Sequence, residues 1–270
     1  MRKFASDQIG ALVEKLSRQL ESASGDADAD AIHDLRVSIR RFNQGLRVFG
    51  EFFDAAKAKK LHRRLKKIMD QASLVRDRDI ALELLTRSRA AGQSKLRRRL
   101  LADREAAHKA LVARVEKVSR KWDADLPPAN KPSKLWNEEA GPGENARTRL
   151  PAQVAEYFQA GRDLVASHPP PPELHKFRLK TKHLRYTLEL FRPVYGQAHE
   201  KRLSELQGIQ QFLGEINDCV AAEKLLPSLK KYLRKLGARR IAAFYKHWKE
   251  FSTAGNERSW ERGLRIVKKK

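Results

Sequence analysis

The chain contains one segment twice, and this repeat constrains its fold more than any other feature. Residues 32–42 return 142 positions later as residues 174–184. His33 and Arg36 of the first copy correspond to His175 and Arg178 of the second, at the same spacing. Because each half must then build a similar arrangement of elements, the repeat sets the architecture. Both copies interleave apolar residues with a row of cations, which suggests a receptacle for a long polyanion.

Helical periodicity dominates the whole sequence, and strand-like alternation is nearly absent. The first half predicts helices over residues 4–23, 31–53, 58–73 and 93–122, with a polar interruption at 76–79 before a further helical stretch to 91. The second half predicts helices over residues 146–167, 173–192 and 199–226, and a last one between Gly237 and residue 251. Four helical segments per half, with short connections, predict an all-α fold of two pseudo-symmetric four-helix bundles.

The domain boundaries follow from the same pattern. We expect one domain over residues 1–255, made of a first helical repeat (1–123), a linker (124–145) and a second helical repeat (146–255). A frayed basic tail is expected over 256–270. The linker segment is rich in proline and glycine, and an ordered loop packed between the halves is an equally good interpretation of it.

The net charge of the chain indicates which classes of partner it can bind. Fifty-seven lysines and arginines stand against 33 aspartates and glutamates, which gives a formal net charge of +24 and a pI near 10.3. Such an excess predicts binding of nucleic acid, of an anionic membrane or of another polyphosphorylated anion. The alternative, a basic solvated surface, needs no ligand.

Cysteine and apolar residues limit the compartment and the chemistry. Cys219 is the only cysteine, so an intramolecular disulfide and a thiolate metal cluster are both excluded. The N-terminus has no apolar signal core, and nowhere do 18 consecutive apolar residues occur. We therefore expect a cytoplasmic protein without membrane insertion and without a cofactor.

The repeated segment places its apolar residues and its cations on separate sides of a helix. Each helical residue advances by about 100°, and with His33 as origin the apolar residues of the first copy lie between roughly 160° and 260°. That arc is broad enough to enter a bundle core. Its cations lie near roughly 300–340°, on the edge that carries the histidine. The two cationic edges consist of His33, Arg36, Arg40 and Arg47 in the first copy and of His175, Arg178, Lys182 and Arg185 in the second.

Two interpretations of these edges compete. Lysines and arginines beside an apolar arc often lay their stems on the core and hold their heads in water. Two features favour a ligand instead: the edge is reproduced in a diverged copy, and few acids flank it at i±4 to neutralise it. Phosphate suits the residue types, because arginine binds two oxygens at once and histidine donates near neutral pH.

Two aspartates occupy matched positions before apolar helical segments. Asp77 follows Arg76, and Asp218 follows Asn217. One interpretation is that each caps a helix N-terminus. The other is that each supports an arginine of the cationic edge in its productive rotamer, and the two are compatible.

These motifs together resemble a CHAD domain. The first half contains HDLRV (33–37), RR (40–41) and VRDRD (75–79), and the second half contains LHKFR (174–178), KHLRY (182–186), ELF (189–191) and LGEIND (213–218). The resemblance covers nearly the whole chain. It implies a basic central cleft that binds inorganic polyphosphate, and association with polyphosphate granules.

The resemblance also implies which residues contact the ligand. By matched position these are His33, Arg36, Arg40, Arg41, His175, Arg178, Lys182 and Arg185. We add Arg47, Arg63, Lys67, His183, Lys201 and Arg202 as further candidate contacts, with Asp77 and Asp218 as supporting residues. The second copy has His183 where the first has Arg41, and Ser204 and Gly208 where the first has Arg63 and Lys67. The cleft is therefore expected to be more basic on the first side.

Two other functions compete with polyphosphate binding. A nucleic-acid-binding protein fits the charge, but recognised binding motifs are missing and the edges are poor in aromatics, so weaker binding is expected. A metal-dependent phosphohydrolase would need clustered carboxylates, which are not apparent, or convergence of His62, His199 and His247. We expect a non-catalytic monomer with no metal site, whose polyphosphate ligand brings Mg²⁺ with it.

Overall fold

The computed structural model describes residues 1–24, 29–122, 126–129 and 131–265. These residues form helices and the loops that join them, which confirms the predicted all-α class. The chain divides into two compact units. The N-terminal unit spans Arg2–Leu135, and the C-terminal unit spans Trp136–Lys270 together with Met1.

The N-terminal unit is built from four long helices. They are α1 (Arg2–Ser22), α2 (Ala29–Phe49), α3 (Ala55–Ser88) and α4 (Ser94–Ser119), with a 3₁₀ turn at Gly50–Phe52. Helix α1 packs on α2, α2 on α3, α3 on α4 and α4 on α1, which closes a four-helix arrangement. Asp54 begins α3 by accepting a hydrogen bond from the Lys57 backbone N–H at 2.7 Å. Helix α3 ends at Arg89 in the left-handed conformation, before Gly92 with φ +71°.

The C-terminal unit repeats this plan with an addition. Its helices are α5 (Pro142–Ser167), α6 (Pro171–Leu190), the short α7 (Arg192–Tyr195), α8 (Glu200–Leu225), α9 (Lys230–Phe251) and α10 (Ala254–Arg265). Helix α6 packs against α5 and α8, α8 packs against α9, and α10 lies on α5. The four long helices of this unit therefore pack in the same order as those of the N-terminal unit.

Aromatic rings fill much of the C-terminal core. Trp248 of α9 is 1% exposed and lies 5.7 Å from the ring of Tyr157 and 5.2 Å from that of Phe177. Phe158 stacks on Phe251 with centroids 5.0 Å apart. Such pairs add about 0.5–1.5 kcal/mol each beyond the area that they bury. The cluster joins α5, α6 and α9.

The predicted interruption at 76–79 is wrong, because α3 continues through it. Val75 and Ile80 keep the helix attached to the core on its buried side. On the polar side, Asp79 Oδ1 accepts a hydrogen bond from Arg104 Nε of α4 at 2.6 Å. An interhelical ion pair therefore accommodates the polar run that looked like a break.

Gly237 does not precede the last long helix, as the sequence suggested, but lies inside α9. A Cβ at this position would lie 3.7 Å from Cys219 Cβ of α8, which is ordinary contact. The glycine therefore marks a close approach of two packed helices.

The expected frayed tail is also wrong over residues 256–265, which belong to α10. Trp260 and Leu264, one helical turn apart, are 1% and 0% exposed. Arg162 of α5 pairs with Glu257, and Tyr195 Oη donates to the Leu264 carbonyl at 2.9 Å. The tail's remaining residues, 266–270, lie outside the described part of the chain.

The proline-rich segment predicted as a linker makes specific contacts where the structure describes it. The Asp54 N–H donates to the Pro127 carbonyl at 3.0 Å. Glu51 accepts hydrogen bonds from the Ser133 hydroxyl at 2.6 Å and from two following backbone N–H groups, which lower the pKa of its carboxyl. Within the C-terminal unit, Trp136 is buried and packs on Phe191. These contacts support an ordered loop.

Candidate functional site

The predicted division of α2 into a buried arc and a cationic edge is confirmed. Ile32, Leu35, Ile39 and Phe42 are between 0% and 6% exposed. The cations of this edge, together with Arg41 of α2 and two residues of α3, form what we call the first stripe. It consists of His33, Arg36, Arg40, Arg41, Arg47, Arg63 and Lys67. His33, Arg47, Arg63 and Lys67 are exposed, and the other three are half-buried.

Helix α3 is joined to α2 at the first stripe. His62 Nδ1 lies 3.0 Å from Asn43 Oδ1 of α2, and Arg63 is the next residue along α3. Within the described part of the chain, Arg40, Arg47, Arg63 and Lys67 have no hydrogen-bonded or ionic partner. Four cations of the first stripe are therefore available to an anion.

Helix α6 shows the same division as α2. Leu174, Phe177, Leu184 and Leu188 are between 0% and 6% exposed. The predicted cations on and after this helix form the second stripe, which consists of His175, Arg178, Lys182, His183, Arg185, Lys201 and Arg202. His175 and Lys201 are exposed and the others are half-buried.

His175 is oriented by helix α8. Its Nδ1 lies 2.7 Å from Asn217 Oδ1, a contact that is a hydrogen bond when Nδ1 carries the proton. Nε2 is then the ring nitrogen left for a ligand, and it donates when the ring is protonated. A groove of about 390 Å³ lies beside this pair, with Leu213 and Ile216 in its wall and Lys176 at its edge.

Arg36 and Arg178 are matched in their burial as well as in sequence. The Nε atom of each is buried without a hydrogen-bond partner, although each side chain has other interactions. Arg178 lies over α8 at Gly214, where a Cβ would be 4.0 Å from Nε. Both arginines are therefore partly embedded in their units.

Arg185 departs from the expectation that acids do not neutralise the edge. Its guanidinium donates to Gln210 Oε1 at 2.7 Å, and Nε lies 3.1 Å from Glu189 Oε1, one turn further along α6. The side chains of Arg185 and Glu189 are 18% and 13% exposed. Nε nevertheless lacks hydrogen-bond geometry. Arg185 is thus held by neighbours of its own unit.

Lys201 and Arg202 differ sharply in their surroundings. Lys201 Nζ lies 4.0 Å from Glu205, and its side chain is largely exposed. Arg202 lies 6.0 Å from the Trp260 ring centroid and donates to the Ser259 carbonyl at 3.4 Å. Burial lowers the pKa of Arg202, while Glu205 opposes that shift. Arg202 therefore belongs to the packing of α10.

The N-cap interpretation of Asp77 and Asp218 is wrong. Asp77 lies inside α3 and Asp218 inside α8, far from the first turn of either helix. Both carboxylates are half-buried and have partners. Their supporting role at the stripes stays a prediction, as does the convergence of both stripes on one cleft.

The histidines and acids of the described residues do not gather into a metal site. These residues contain no cluster of three or more histidine, cysteine, aspartate and glutamate side chains suited to a metal. His199 is buried against Tyr195, and His247 lies against Phe212. None of the helices in the described ranges combines the length and apolar character that a membrane crossing requires.

A comparison of the sequence with models of known families identifies the family of the chain. Residues 7–227 match the model of the CHAD domain. The chain belongs to the CHAD domain family. The match covers most of both units and ends just before α9, so α9 and α10 lie beyond it.

Solved structures share the fold. The chain is similar to PptA from Streptomyces chartreusis, with a TM-score of 0.65 and 15% identity, over 92% of this chain and 99% of that one. It is also similar to the CHAD domain from the plant Ricinus communis, with a TM-score of 0.61 and 19% identity, over 99% of this chain and 92% of that one. No curated protein matches the sequence.

Sequence reasoning missed the amides that hold the stripes. Asn217 orients His175, Gln210 binds Arg185, and Asn43 bonds to His62. Asn217 stood in a repeated motif beside Asp218, which was a usable signal. Asn43 matches Arg185 in the repeat, so it occupied an edge position as well. Gln210 carried no signal, because only the packing of α6 on α8 brings it to Arg185.

Proposed function

We propose that this CHAD domain binds inorganic polyphosphate without cleaving it, through the first and second stripes. The family is related to polyphosphate. Each stripe combines guanidinium, ammonium and imidazole groups carried by two helices that pack together. These groups suit a chain of phosphates, because arginine offers a two-pronged contact and lysine a mobile charge.

The observation that carries this proposal is the unpaired row in the N-terminal unit. Arg40 and Arg47 of α2, and Arg63 and Lys67 of α3, have no partner within the described residues. Each pair belongs to one of two helices that pack together. Like charges gathered in this way oppose folding, and a bound polyanion compensates them.

The second stripe is the weaker of the two in this proposal. Its Arg185 is held by Glu189 and Gln210, and Arg202 packs on Trp260. We assign its main contacts to His175, which is exposed, and to Lys182, which is half-buried.

The test compares two variants of the whole protein that each lose four charges. The first-stripe variant is R40A/R47A/R63A/K67A. The control variant is K95A/R98A/R114A/K117A, which removes four cations of α4 that have no partner within the described ranges. Binding is measured by titration with size-fractionated polyphosphate, with tripolyphosphate and duplex DNA as comparators.

We expect the first-stripe variant to lose about 30-fold or more in affinity for long polyphosphate, a modest fraction of what four charged contacts contribute. The control variant should lose less than about threefold, because screened charges elsewhere on the surface act weakly. Equal losses would show that net charge alone attracts the ligand and would overturn the proposal.

The absence of cleavage has its own test. Purified protein is incubated with polyphosphate and Mg²⁺ or Mn²⁺, and orthophosphate is measured over time. Release that exceeds a buffer control and disappears in the first-stripe variant would make the protein a polyphosphatase.

Association with polyphosphate granules follows from the same binding. In cells that accumulate polyphosphate, the fluorescently tagged protein should lie on the granules. The first-stripe variant should spread away from them, while the α4 control variant should remain.

A further inference from the structure

We propose that the outer face of α9 is a second polyanion-binding surface, and that it takes the phosphate backbone of duplex nucleic acid. This surface lies outside both stripes and beyond the residues that match the family model. We call it the α9 row. It consists of Lys231, Lys235, Arg239, Lys246 and Lys249, all of which are exposed.

The α9 row is straight and compact. At about 100° per residue, its five cations fall within an arc of roughly 80°, and at about 1.5 Å per residue they span roughly 27 Å of helix. The uncharged exposed positions within this arc or directly beside it are Ala238 and Ala242. Because alanine is short, it does not keep the ammonium and guanidinium heads of the row from reaching the same rigid partner.

The row is not neutralised by the rest of the unit. Of the eight lysines and arginines of α9, Arg234 pairs with Glu223, Arg240 pairs with Glu215, and Lys230 lies about 100° away from the row at the start of the helix. The five cations of the row have no partner within the described residues. The sole acid of the helix is Glu250, at its C-terminal end. Neither fold stability nor intrahelical pairing explains this arrangement.

Helix α4 shows what an ordinary basic helix of this protein looks like. It also carries eight lysines and arginines, but three acids are interleaved with them. Arg99 lies 3.8 Å from Asp103, and Lys109 lies 3.6 Å from Glu105. Its four unpaired cations spread over roughly 160° of the helix surface, whereas five of the six unpaired cations of α9 lie within roughly 80°. The contrast marks the α9 row as a binding surface.

Several features favour duplex nucleic acid as the partner. None of the exposed positions of α9 is aromatic, whereas single-strand binders use aromatic stacking. The apolar side chains Leu233, Phe244 and Trp248 are buried in the unit, and none of the large apolar side chains of α9 is fully exposed, which disfavours insertion into a membrane. A duplex holds its phosphates on a rigid cylinder and can meet the whole row at once. A flexible polyphosphate would first have to be straightened along it.

The test uses two variants of the full-length protein that each lose five charges. The α9 variant is K231Q/K235Q/R239Q/K246Q/K249Q, and the control is K95Q/R98Q/K109Q/R114Q/K117Q on α4. Circular dichroism establishes that both are folded. Binding is then measured for a 30-base-pair duplex, for long polyphosphate and for anionic phosphatidylserine vesicles, at four salt concentrations.

We expect the α9 variant to bind the duplex at least about tenfold more weakly. The slope of log K against log salt should flatten by about four, near 0.9 for each phosphate that the row no longer neutralises. The control should flatten this slope by less than about one. Polyphosphate affinity of the α9 variant should stay within about threefold of the natural protein. The charge-preserving variant K231R/K235R/R239K/K246R/K249R should keep duplex binding.

Three outcomes would overturn the inference. Equal loss of duplex binding in both variants would mean that net charge is responsible. Loss of polyphosphate binding in the α9 variant would assign the row to polyphosphate. Loss of vesicle binding with duplex binding intact would assign it to lipid headgroups. The first-stripe variant retains the α9 row. Its loss of polyphosphate binding would therefore test the first stripe alone and can be distinguished from each of these three outcomes.

Discussion

Arginines of the two stripes differ in how easily a phosphate can reach them, because their neighbours differ. Arg40 is half-buried and without a partner in the described part of the chain, whereas Arg185 is held by Gln210 and Glu189. A phosphate would have to displace these neighbours to reach Arg185. At Arg40 a phosphate replaces water alone, so binding there is the more favourable of the two.

His199 is the most perturbed of the histidines in the described residues. Its ring is 0% exposed, stacks on Tyr195 with centroids 4.9 Å apart, and bonds through Nε2 to the Leu188 carbonyl at 3.2 Å. Nδ1 has no hydrogen-bond partner. Burial, assisted by the nearby Arg202, lowers the pKa of His199 to about 4. The folded protein therefore keeps this imidazole neutral at mildly acidic pH.

This pKa predicts a loss of stability with acid. In the unfolded chain the imidazole takes up a proton as the pH falls through about 6.5, while the folded state resists until about 4. The unfolded state binds more protons over that window, so the free energy of unfolding should fall by up to about 3 kcal/mol between these pH values. Chemical denaturation at a series of pH values measures the slope.

The replacement His199→Gln tests the origin of that slope. Glutamine keeps an N–H donor for the Leu188 carbonyl but does not titrate, so the loss of stability between pH 6.5 and 4 should shrink. His168→Gln, which removes an exposed histidine, should leave the slope as it is. A slope unchanged in the His199 variant would assign the acid sensitivity to other groups.

At the scale of elements, the packing of α5 on α9 depends on one glycine. A Cβ at Gly161 would overlap the indole of Trp248, which is buried among aromatic rings and cannot move aside. We therefore expect Gly161→Ala to destabilise the protein by about 1–3 kcal/mol through overpacking. The midpoint of denaturant unfolding measures this change.

Gly10→Ala on α1 is the matched control. Nothing lies within 4 Å of a Cβ at Gly10, and the residue is inside a helix. Alanine should stabilise that helix by about 0.5–1 kcal/mol. The two identical replacements are thus expected to act in opposite directions. A stabilising effect at Gly161 would contradict the close approach of the two helices.

The helices and their buried sides could be predicted because the core imposes its period on the sequence. Phe42 and Phe177 lie in the arcs that the repeat predicted, and both are buried. The predicted helix boundaries were wrong where a polar or basic run interacts with a residue distant in sequence. The Asp79–Arg104 pair keeps α3 continuous, and Trp260 holds α10 in what looked like a tail. Neither partner is visible from local spacing.

For the candidate site, the sequence predicted which cations share an edge of a helix, but not which of them bind neighbouring side chains of the protein. The position of Arg41 or Lys182 on its helix follows from spacing alone. That Arg202 turns towards Trp260 depends on α10, and that Asn217 orients His175 depends on how α6 packs on α8. Packing between helices distant in sequence decides these interactions, and no local pattern encodes it.

At the scale of the whole molecule, a net charge of +24 is distributed over two units with a stripe each. If both stripes serve one polyphosphate chain, as proposed, a chain long enough to engage both gains affinity beyond that of either, because the second binding step becomes intramolecular. A chain too short to span them would engage one stripe at a time. The length dependence of binding therefore reports whether both stripes serve one chain.

We expect the replacement pair H175A/K182A in the second stripe to weaken binding of long polyphosphate by about tenfold or more. Tripolyphosphate should be affected by only about twofold, since the stronger first stripe still binds it. The pair Arg114→Ala and Lys117→Ala on α4 serves as the control and should change neither affinity by more than about twofold. Calorimetric titration at fixed salt measures all three proteins. If the second-stripe variant lost the same factor in affinity for both ligands, the stripes would act independently. A polyphosphate chain that binds both stripes must lose more affinity when one stripe is removed than a chain that binds only one stripe.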